Sequence, residues 1–156
     1  MTELRFEMNQ LTSTDIDDVE GEYLIGVISE TCFIIPVRLI INGTDVFQHE
    51  NLLSEETLTS IELPAFGLIF DWREGIDSLL KTDHEKILLS EAGQLNLDYD
   101  SGFVSLSTNF NKIQVKVNFD HFSNGISSGI KNLVDALSNS FPKVFDRDEI
   151  KSKLSH

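Results

Sequence analysis

The sequence predicts an α+β fold, in which antiparallel strands form one or more sheets and a mid-chain helix and a C-terminal helix pack on the sheet. Two kinds of hydrophobic spacing support this prediction. In the segment 112–120, apolar and polar residues alternate, as in a strand with one buried face. In the segments that follow Pro64 and Ser123, apolar residues recur every three or four positions, which is typical of amphipathic helices.

The length of 156 residues is that of one domain. Forty per cent of the residues are hydrophobic and eleven are Phe, a composition that favours a packed core. We assign residues 1–142 to a single globular α+β domain. The remaining residues, 143–156, contain few apolar side chains, and we expect them to form a short polar C-terminal tail.

Several strands are predicted in the first third of the chain. Residues 4–8 alternate between apolar and charged side chains, and the segments 22–29 and 32–41 are rich in β-branched and aromatic residues. Pro36 cannot donate a ladder hydrogen bond, so we expect its strand to lie at a sheet edge or to carry a bulge. The pair Asn42-Gly43 predicts a tight turn, because both residues tolerate a positive φ.

The hydrophobic period changes in the middle of the chain. We predict a short helix from Ser54 and a longer helix with Pro64 in its first turn. The longer helix has an apolar stripe that consists of Ile69, Trp72, Ile76 and Leu79. Gly67 and Gly75 weaken it by about 1 kcal/mol each relative to Ala.

A second group of strands precedes the last helix. Its members are 85–90, 95–99, 103–108 and 112–120. In the last of these, one face consists of Ile113, Val115, Val117 and Phe119, and we expect this face to be the dry side of an antiparallel sheet. The C-terminal helix is predicted from about Ser123 to Ser140, with Ser123 or Asn124 as its cap. Phe141-Pro142 ends it, because proline disfavours the helical conformation in the residue before it.

The charge of the chain constrains its partners. Twenty-six acidic residues against twelve basic residues give a formal net charge of −14 at pH 7. Nucleic acid and anionic membranes are disfavoured as ligands, because phosphate binding depends on Lys and Arg, whereas a basic partner is favoured. Acidity that serves only solubility is the alternative interpretation.

The location of the protein is predicted from its cysteine content and its N-terminal sequence. Cys32 is the only cysteine, so no internal disulfide can form, and we interpret it as a buried core thiol. The first ten residues do not have the pattern of a secretion signal, and no apolar run is long enough to span a bilayer. We therefore expect a cytoplasmic protein.

The most acidic segment is 13–22, and it is the first candidate for a binding site. Its carboxylates are Asp15, Asp17, Asp18, Glu20 and Glu22. The calcium-binding EF-hand pattern does not fit, since counting back from Gly21 places Ile16 at the first ligand position and Val27 at the twelfth. We expect a solvated loop that faces or steers a basic protein partner, with the neighbouring Tyr23 as a contact.

The sequence contains no motif that predicts catalysis. The four histidines are not spaced for zinc, and no glycine-rich phosphate loop occurs. Gly125 and Gly129 flank two serines but do not form a nucleophile elbow, and the spacing of Asp71 and Glu74 argues against paired catalytic carboxylates. We predict no enzymatic activity, no cofactor and no metal. Three alternatives stay open: a small-molecule binder, an enzyme with a site assembled from distant strands, and an acidic adaptor subunit.

The layout of the chain resembles the small acidic immunity proteins of polymorphic or contact-dependent bacterial toxin systems. The likeness is carried by the strand in 112–122, the following amphipathic helix and its Phe141-Pro142 stop. The resemblance implies a protein that binds and neutralises a cognate toxin domain, often a nuclease with a basic surface. Affinity in such a complex requires an apolar centre, and the aromatic candidates are Tyr23, Phe47, Trp72 and Tyr99, if they are exposed. The interface, the toxin and the oligomeric state are left open.

Overall fold

The computed structural model of the protein describes residues 2–6, 34–89 and 93–154. Within them the chain forms β1 (Thr2–Phe6), β2 (Ile34–Ile41), β3 (Thr44–Asp45), β4 (His49–Glu50), β5 (Thr57–Leu58), β6 (Ile61–Pro64), α1 (Ala65–Thr82), β7 (His84–Leu88), β8 (Gln94–Asp100), β9 (Phe103–Thr108), β10 (Gln114–Asn118), α2 (Phe119–Ser140), α3 (Pro142–Phe145) and α4 (Asp148–Leu154). The predicted α+β class is confirmed. The strand predicted at 22–29 and the predicted buried thiol of Cys32 lie outside the described residues.

The first sheet is built around β2. On one side β1 pairs with residues 37–41 of β2, and on the other side β6 pairs with residues 34–37 and β3 with residues 40–41, all antiparallel. Every second side chain of β2 is fully buried, namely Ile35, Val37, Leu39 and Ile41. The strand with Pro36 is therefore interior, and the expected edge position is wrong. Among the described residues the β1 ladder reaches only to Val37, so no described strand lies beside Pro36 on that side to require its N–H.

Two tight turns connect neighbouring strands in the way that their residues predict. Asn42 and Gly43 have φ values of 50° and 83° and join β2 to β3 in a two-residue hairpin. Ser101 and Gly102, with φ values of 53° and 88°, join β8 to β9 in the same way. Positive φ at both central positions matches the twist of a hairpin, so these turns set the register of their strands.

The second sheet is a four-stranded antiparallel meander in the order β10-β9-β8-β7. One of its faces is apolar, and its buried members include Ile87, Leu95, Leu97, Val104, Leu106 and Val117. The dry face predicted for 112–120 is confirmed in this sheet, where Val117 is buried and Val115 and Phe119 are partly buried against the core. Phe119 already belongs to α2, however, and Ile113 lies just before β10.

Local hydrogen bonds of asparagine shift two predicted helix starts. The segment 51–56 is a turn between β4 and β5 rather than a helix from Ser54, because Asn51 accepts and donates bonds across this turn. Helix α2 begins at Phe119 rather than at Ser123, since Oδ1 of Asn118 accepts bonds from the backbone N–H groups of Asp120 and His121. The predicted caps Ser123 and Asn124 lie inside the helix.

Helices α1 and α2 cover the sheets. The predicted apolar stripe of α1 is buried, and this helix packs on β6, β7 and β8. Helix α2 packs on β1, β9 and β10 and also contacts α1. It approaches β1 at Gly125 and Gly129, where a side chain would collide with Thr2 and Leu4. The absence of Cβ atoms at these two glycines allows the close contact between strand and helix.

The C-terminal segment contributes to the core. The predicted polar tail at 143–156 contains part of α3 and all of α4, and Phe145 and Ile150 are buried. The ring of Phe145 stacks on that of Phe66, with 5.5 Å between the centroids. Phe141 is also fully buried and closes the core after α2, as its position before Pro142 predicts.

Candidate protein-interaction surfaces

The predicted steering residues belong to the acidic segment 13–22, with Tyr23 beside it. All six residues lie outside the part of the chain that the structure describes, namely Asp15, Asp17, Asp18, Glu20, Glu22 and Tyr23. Their role as contacts of a basic partner therefore stays a prediction.

Two of the aromatic contact candidates belong to the core. Phe47 and Trp72 are buried and meet edge to face, with 6.1 Å between the ring centroids. Tyr99 is half-buried and packs edge to face on Phe119, at 5.6 Å. Phe47 and Trp72 are thus excluded as apolar contacts of a partner, and Tyr99 offers only part of its ring.

The most exposed apolar residues are found at the end of the β4–β5 hairpin. We call residues 51–56 the hairpin tip. Leu52 and Leu53 are each 97% exposed there, more than the other large hydrophobic residues in the described part of the chain. The backbone N–H of Asn51 donates to the carbonyl of Glu56, at 2.8 Å, and the N–H of Glu55 donates to the carbonyl of Asn51, at 2.9 Å. Both leucines are therefore presented by an internally bonded turn.

An apolar groove lies beside the hairpin tip. It has a volume of about 640 Å³ and is lined by Gln48, His49, Glu50, Leu52, Thr57, Ile61, Phe110, Asn111 and Ile113. The side-chain amide of Asn111 donates to the carbonyls of Val46 and Gln48, at 2.8 Å each, and so fixes the loop before β10 against the segment that leads into β4. Phe110 packs on Phe47 and His49. We call this feature the hairpin groove.

The charge around the hairpin tip is negative. Glu50, Glu55 and Glu56 are exposed, and none of them forms an ion pair with another residue that the structure describes. In contrast, Arg38 on the neighbouring sheet is paired with Asp45, at 2.9 Å. The two exposed leucines are therefore surrounded by uncompensated carboxylates.

The polar face of the second sheet carries a mixed row of side chains. His84, Asp98, Ser105 and Lys116 lie opposite one another on its four strands. Nδ1 of His84 is hydrogen-bonded to Oδ1 of Asp98. Ser105 neighbours Asp98 rather than the imidazole, so the row contains no nucleophile with an adjacent base. Beside it, Nζ of Lys116 lies 5.2 Å from the centroid of the exposed Phe103 ring.

A polar groove of about 780 Å³ lies between β1 and α2. Its lining includes the ion pair in which Arg5 donates to Glu3, at 2.8 Å, and, on the helix, His121, Asn124, Ser128 and Asn132. The hydrogen bond from Arg5 lowers the pKa of Glu3, and the same bond raises the pKa of Arg5. The charges of Arg5 and Glu3 compensate each other, so the side chains that line this groove are polar but have little net charge.

One carboxyl on α1 has a perturbed acidity. Partial desolvation of its carboxyl raises the pKa of Asp71, although the side chain is on the exposed face of α1, and the nearby Glu74 raises it further. The two groups are three residues apart on the exposed face of the helix, where they repel each other. Asp71 and Glu74 therefore resemble a crowded acidic surface rather than a catalytic pair.

Two other kinds of feature are absent from the described residues. No group of three or more His, Cys, Asp and Glu side chains in the described ranges is arranged to hold a metal ion. Among the described helices, none has the length and apolar character needed to cross a membrane.

The chain matches no model of a known protein family, no curated protein and no solved structure. The hairpin tip was not among the sites predicted from the sequence. Its signal in the sequence is the pair Leu52-Leu53 between polar residues, directly before the helix that the sequence predicts from Ser54.

Proposed function

We propose that the protein is an immunity-type protein, which binds and neutralises a cognate basic toxin domain such as a nuclease. The observation that carries the proposal is the acidity of its surface. The chain has a formal net charge of −14, and none of the acidic side chains whose burial is described is buried. A surface of this kind favours a positively charged partner.

The chemistry of a nuclease explains why an acidic inhibitor is effective. A nuclease must attract phosphate, so the surface around its active site is positive. An acidic protein competes for that surface, and the attraction raises the association rate by about 10- to 1,000-fold at low salt. Charge supplies speed and orientation, whereas affinity requires a desolvated apolar centre.

The partner is sought through the neighbouring reading frame. If that frame encodes a large toxin, we expect its C-terminal domain to co-purify with the protein and to lose its activity in the complex. A toxin domain that keeps its activity and does not co-purify would contradict the proposed function. Such a result would favour an adaptor subunit or a small-molecule binder.

The role of the acidic segment is tested with the variant Asp15→Asn/Asp17→Asn/Asp18→Asn. We expect association with the toxin domain to be about tenfold slower at low salt, with a smaller difference at 0.1 M salt, where the Debye length is about 10 Å. Thermal stability should not change, since the segment is predicted to be solvated. The rates are measured by stopped-flow or surface plasmon resonance at two salt concentrations.

A matched variant separates local steering from net charge. Glu62→Gln/Asp77→Asn/Asp135→Asn removes three exposed carboxylates from β6, α1 and α2. We expect a smaller loss of rate than with the acidic-segment variant. If both variants associate as fast as the wild type at both salt concentrations, the acidic segment only keeps the protein soluble.

A further inference from the structure

We propose that the hairpin tip is a docking anchor, which inserts Leu52 and Leu53 into an apolar cleft of a protein whose cleft is rimmed by Lys and Arg. The identity of the natural partner rests on the proposed function. The location of the anchor and the chemistry of the cleft rest on the described residues alone.

The exposure of the two leucines is the first argument. Isolated apolar residues on a surface are normal, and Leu88 at 74% and Leu80 at 52% are examples here. Leu52 and Leu53 differ because they are adjacent and almost fully exposed at the apex of one turn. Burial in a partner would remove both side chains from water at the same place, as interface anchors do.

The order of the turn is the second argument. Besides the two backbone bonds across the tip, Oδ1 of Asn51 accepts a bond from the backbone N–H of Leu53, at 3.0 Å. Glu55 has a φ of 56°, a left-handed conformation that is unfavourable for a residue with a Cβ and is held here by its bond to Asn51. An anchor that is fixed before binding loses little conformational entropy in the complex.

The hairpin groove is the third argument. Leu52 forms one wall of the groove, and Ile61, Phe110 and Ile113 supply further apolar surface. When the tip is inserted, an apolar side chain beside the partner's cleft enters this groove, while the Lys and Arg of the rim face the carboxylates of the tip. The contact is then reciprocal, with an apolar centre on both sides.

The negative charge around the hairpin tip distinguishes between its possible binding partners. Glu50, Glu55 and Glu56 surround the leucines, so an anionic membrane would be repelled. A second copy of this chain is disfavoured as well, because a symmetric contact would bring the same carboxylates face to face. A partner with Lys and Arg around an apolar cleft can bury the two leucines and form ion pairs with the three carboxylates.

The test uses a defined probe, namely a peptide of two amphipathic helices, linked by a disulfide, whose shared leucine-lined groove is flanked by lysines. It is titrated into the full ¹⁵N-labelled chain, and a peptide of equal charge with serine in place of leucine is the control. We expect shift changes centred on residues 48–57 and 110–113 with the leucine peptide. We expect Leu52→Ser/Leu53→Ser to weaken binding by at least about tenfold, and Leu88→Ser, the same change at another exposed leucine, to leave it unchanged.

Several results would overturn the inference. These are no binding of the leucine peptide, equal binding of the serine peptide, shift changes centred on the polar face of the second sheet, and an equal loss of affinity in Leu88→Ser. A large fall in the urea midpoint of Leu52→Ser/Leu53→Ser would show that the leucines are buried in the folded chain. If the wild-type chain self-associates and Leu52→Ser/Leu53→Ser abolishes this association, the tip binds a second copy of the chain instead of a basic partner.

The peptide titration is independent of the toxin domain. If the toxin domain does not bind while the leucine peptide binds at the tip, the anchor stands and the proposed function fails. If the toxin domain binds with the same affinity to Leu52→Ser/Leu53→Ser and to the wild type, the proposed function stands and the anchor fails.

Discussion

Asparagine side chains organise several junctions between the elements. Asn42 begins the β2–β3 turn with a positive φ, and Asn118 caps α2. Asn51 bonds across the hairpin tip, and Asn111 bonds the loop before β10 to the segment before β4. An amide can both donate and accept hydrogen bonds and tolerates left-handed backbone, so one residue type serves turns, caps and loop contacts. These bonds are local, but their effect on register and helix start extends through the neighbouring elements.

Val117 tests the buried face of the second sheet. It is 4% exposed and lies opposite Val104. We expect Val117→Asp to lower the free energy of unfolding by about 3–5 kcal/mol, because a buried charge without a partner is strongly unfavourable. Gln114→Asp, on the exposed face of the same strand, should change it by less than about 0.5 kcal/mol. Urea unfolding measures both, and equal stabilities of the two variants would contradict the orientation of the strand.

Asp71 predicts a pH-dependent effect on stability. Its raised pKa means that the folded protein holds this proton more tightly than the unfolded chain does. The stabilising contribution is therefore complete below pH 3.8, the ordinary aspartate value, and is lost as the pH rises through the folded-state pKa. We expect Asp71→Asn to be more stable than the wild type at neutral pH and equally stable below pH 3.8.

Urea midpoints at the two pH values check the effect of Asp71→Asn. Asp77→Asn removes one charge from the same helix and serves as the control for net charge. A difference between Asp71→Asn and the wild type that is larger in acid than at neutral pH would show that the sign of the effect is wrong.

Among the elements, the crossing of β1 and α2 depends on two glycines. A Cβ at Gly129 would lie 2.6 Å from Cβ of Leu4, and one at Gly125 would collide with the carbonyl oxygen of Thr2. We expect Gly129→Ala to destabilise the protein by about 1–3 kcal/mol through overpacking. At Gly67 on α1 the nearest atoms are 3.7 Å away, so Gly67→Ala should instead stabilise it by up to about 1 kcal/mol. Thermal unfolding of the two variants should shift in opposite directions.

The elements whose apolar residues recur regularly along the chain were predictable from the sequence. The positions of elements that depend on distant partners were harder to predict. The apolar stripe of α1 and the alternation in β8, β9 and β10 each reflect burial on one face, which a local pattern records. The interior position of β2 depends on β1 and β6, and no local signal contains this pairing. Phe145 and Ile150 are few among polar neighbours, yet they reach the core because α3 and α4 fold back on it.

At the scale of the whole molecule, self-repulsion opposes folding. With a net charge of −14, compaction brings like charges together, and salt screens their repulsion. We expect the melting temperature to rise when NaCl increases from about 0.01 M to 0.1 M, as the Debye length falls from about 30 Å to 10 Å. A melting temperature that falls with salt would indicate that attractive ion pairs dominate.

The candidate surface was predictable only in part. The composition predicts that the surface is negatively charged, because the net charge of a chain does not depend on how it folds. The hairpin tip required the structure, because the exposure of Leu52 and Leu53 follows from the bonds of Asn51 across the turn. Phe47 and Trp72 were candidate contacts only on the condition of exposure, and the structure shows that both are buried.

The contact between β1 and α2 also constrains how the chain acquires its structure during translation. Strand β1 is made first, but the helix surface that receives it is made more than a hundred residues later. At about 5–20 residues per second, the ribosome leaves β1 without its helix partner for roughly 6–25 s. Strand β1 is therefore one of the last described strands to reach its final packing, and an early stop in synthesis would release a chain in which β1 lacks its covering helix.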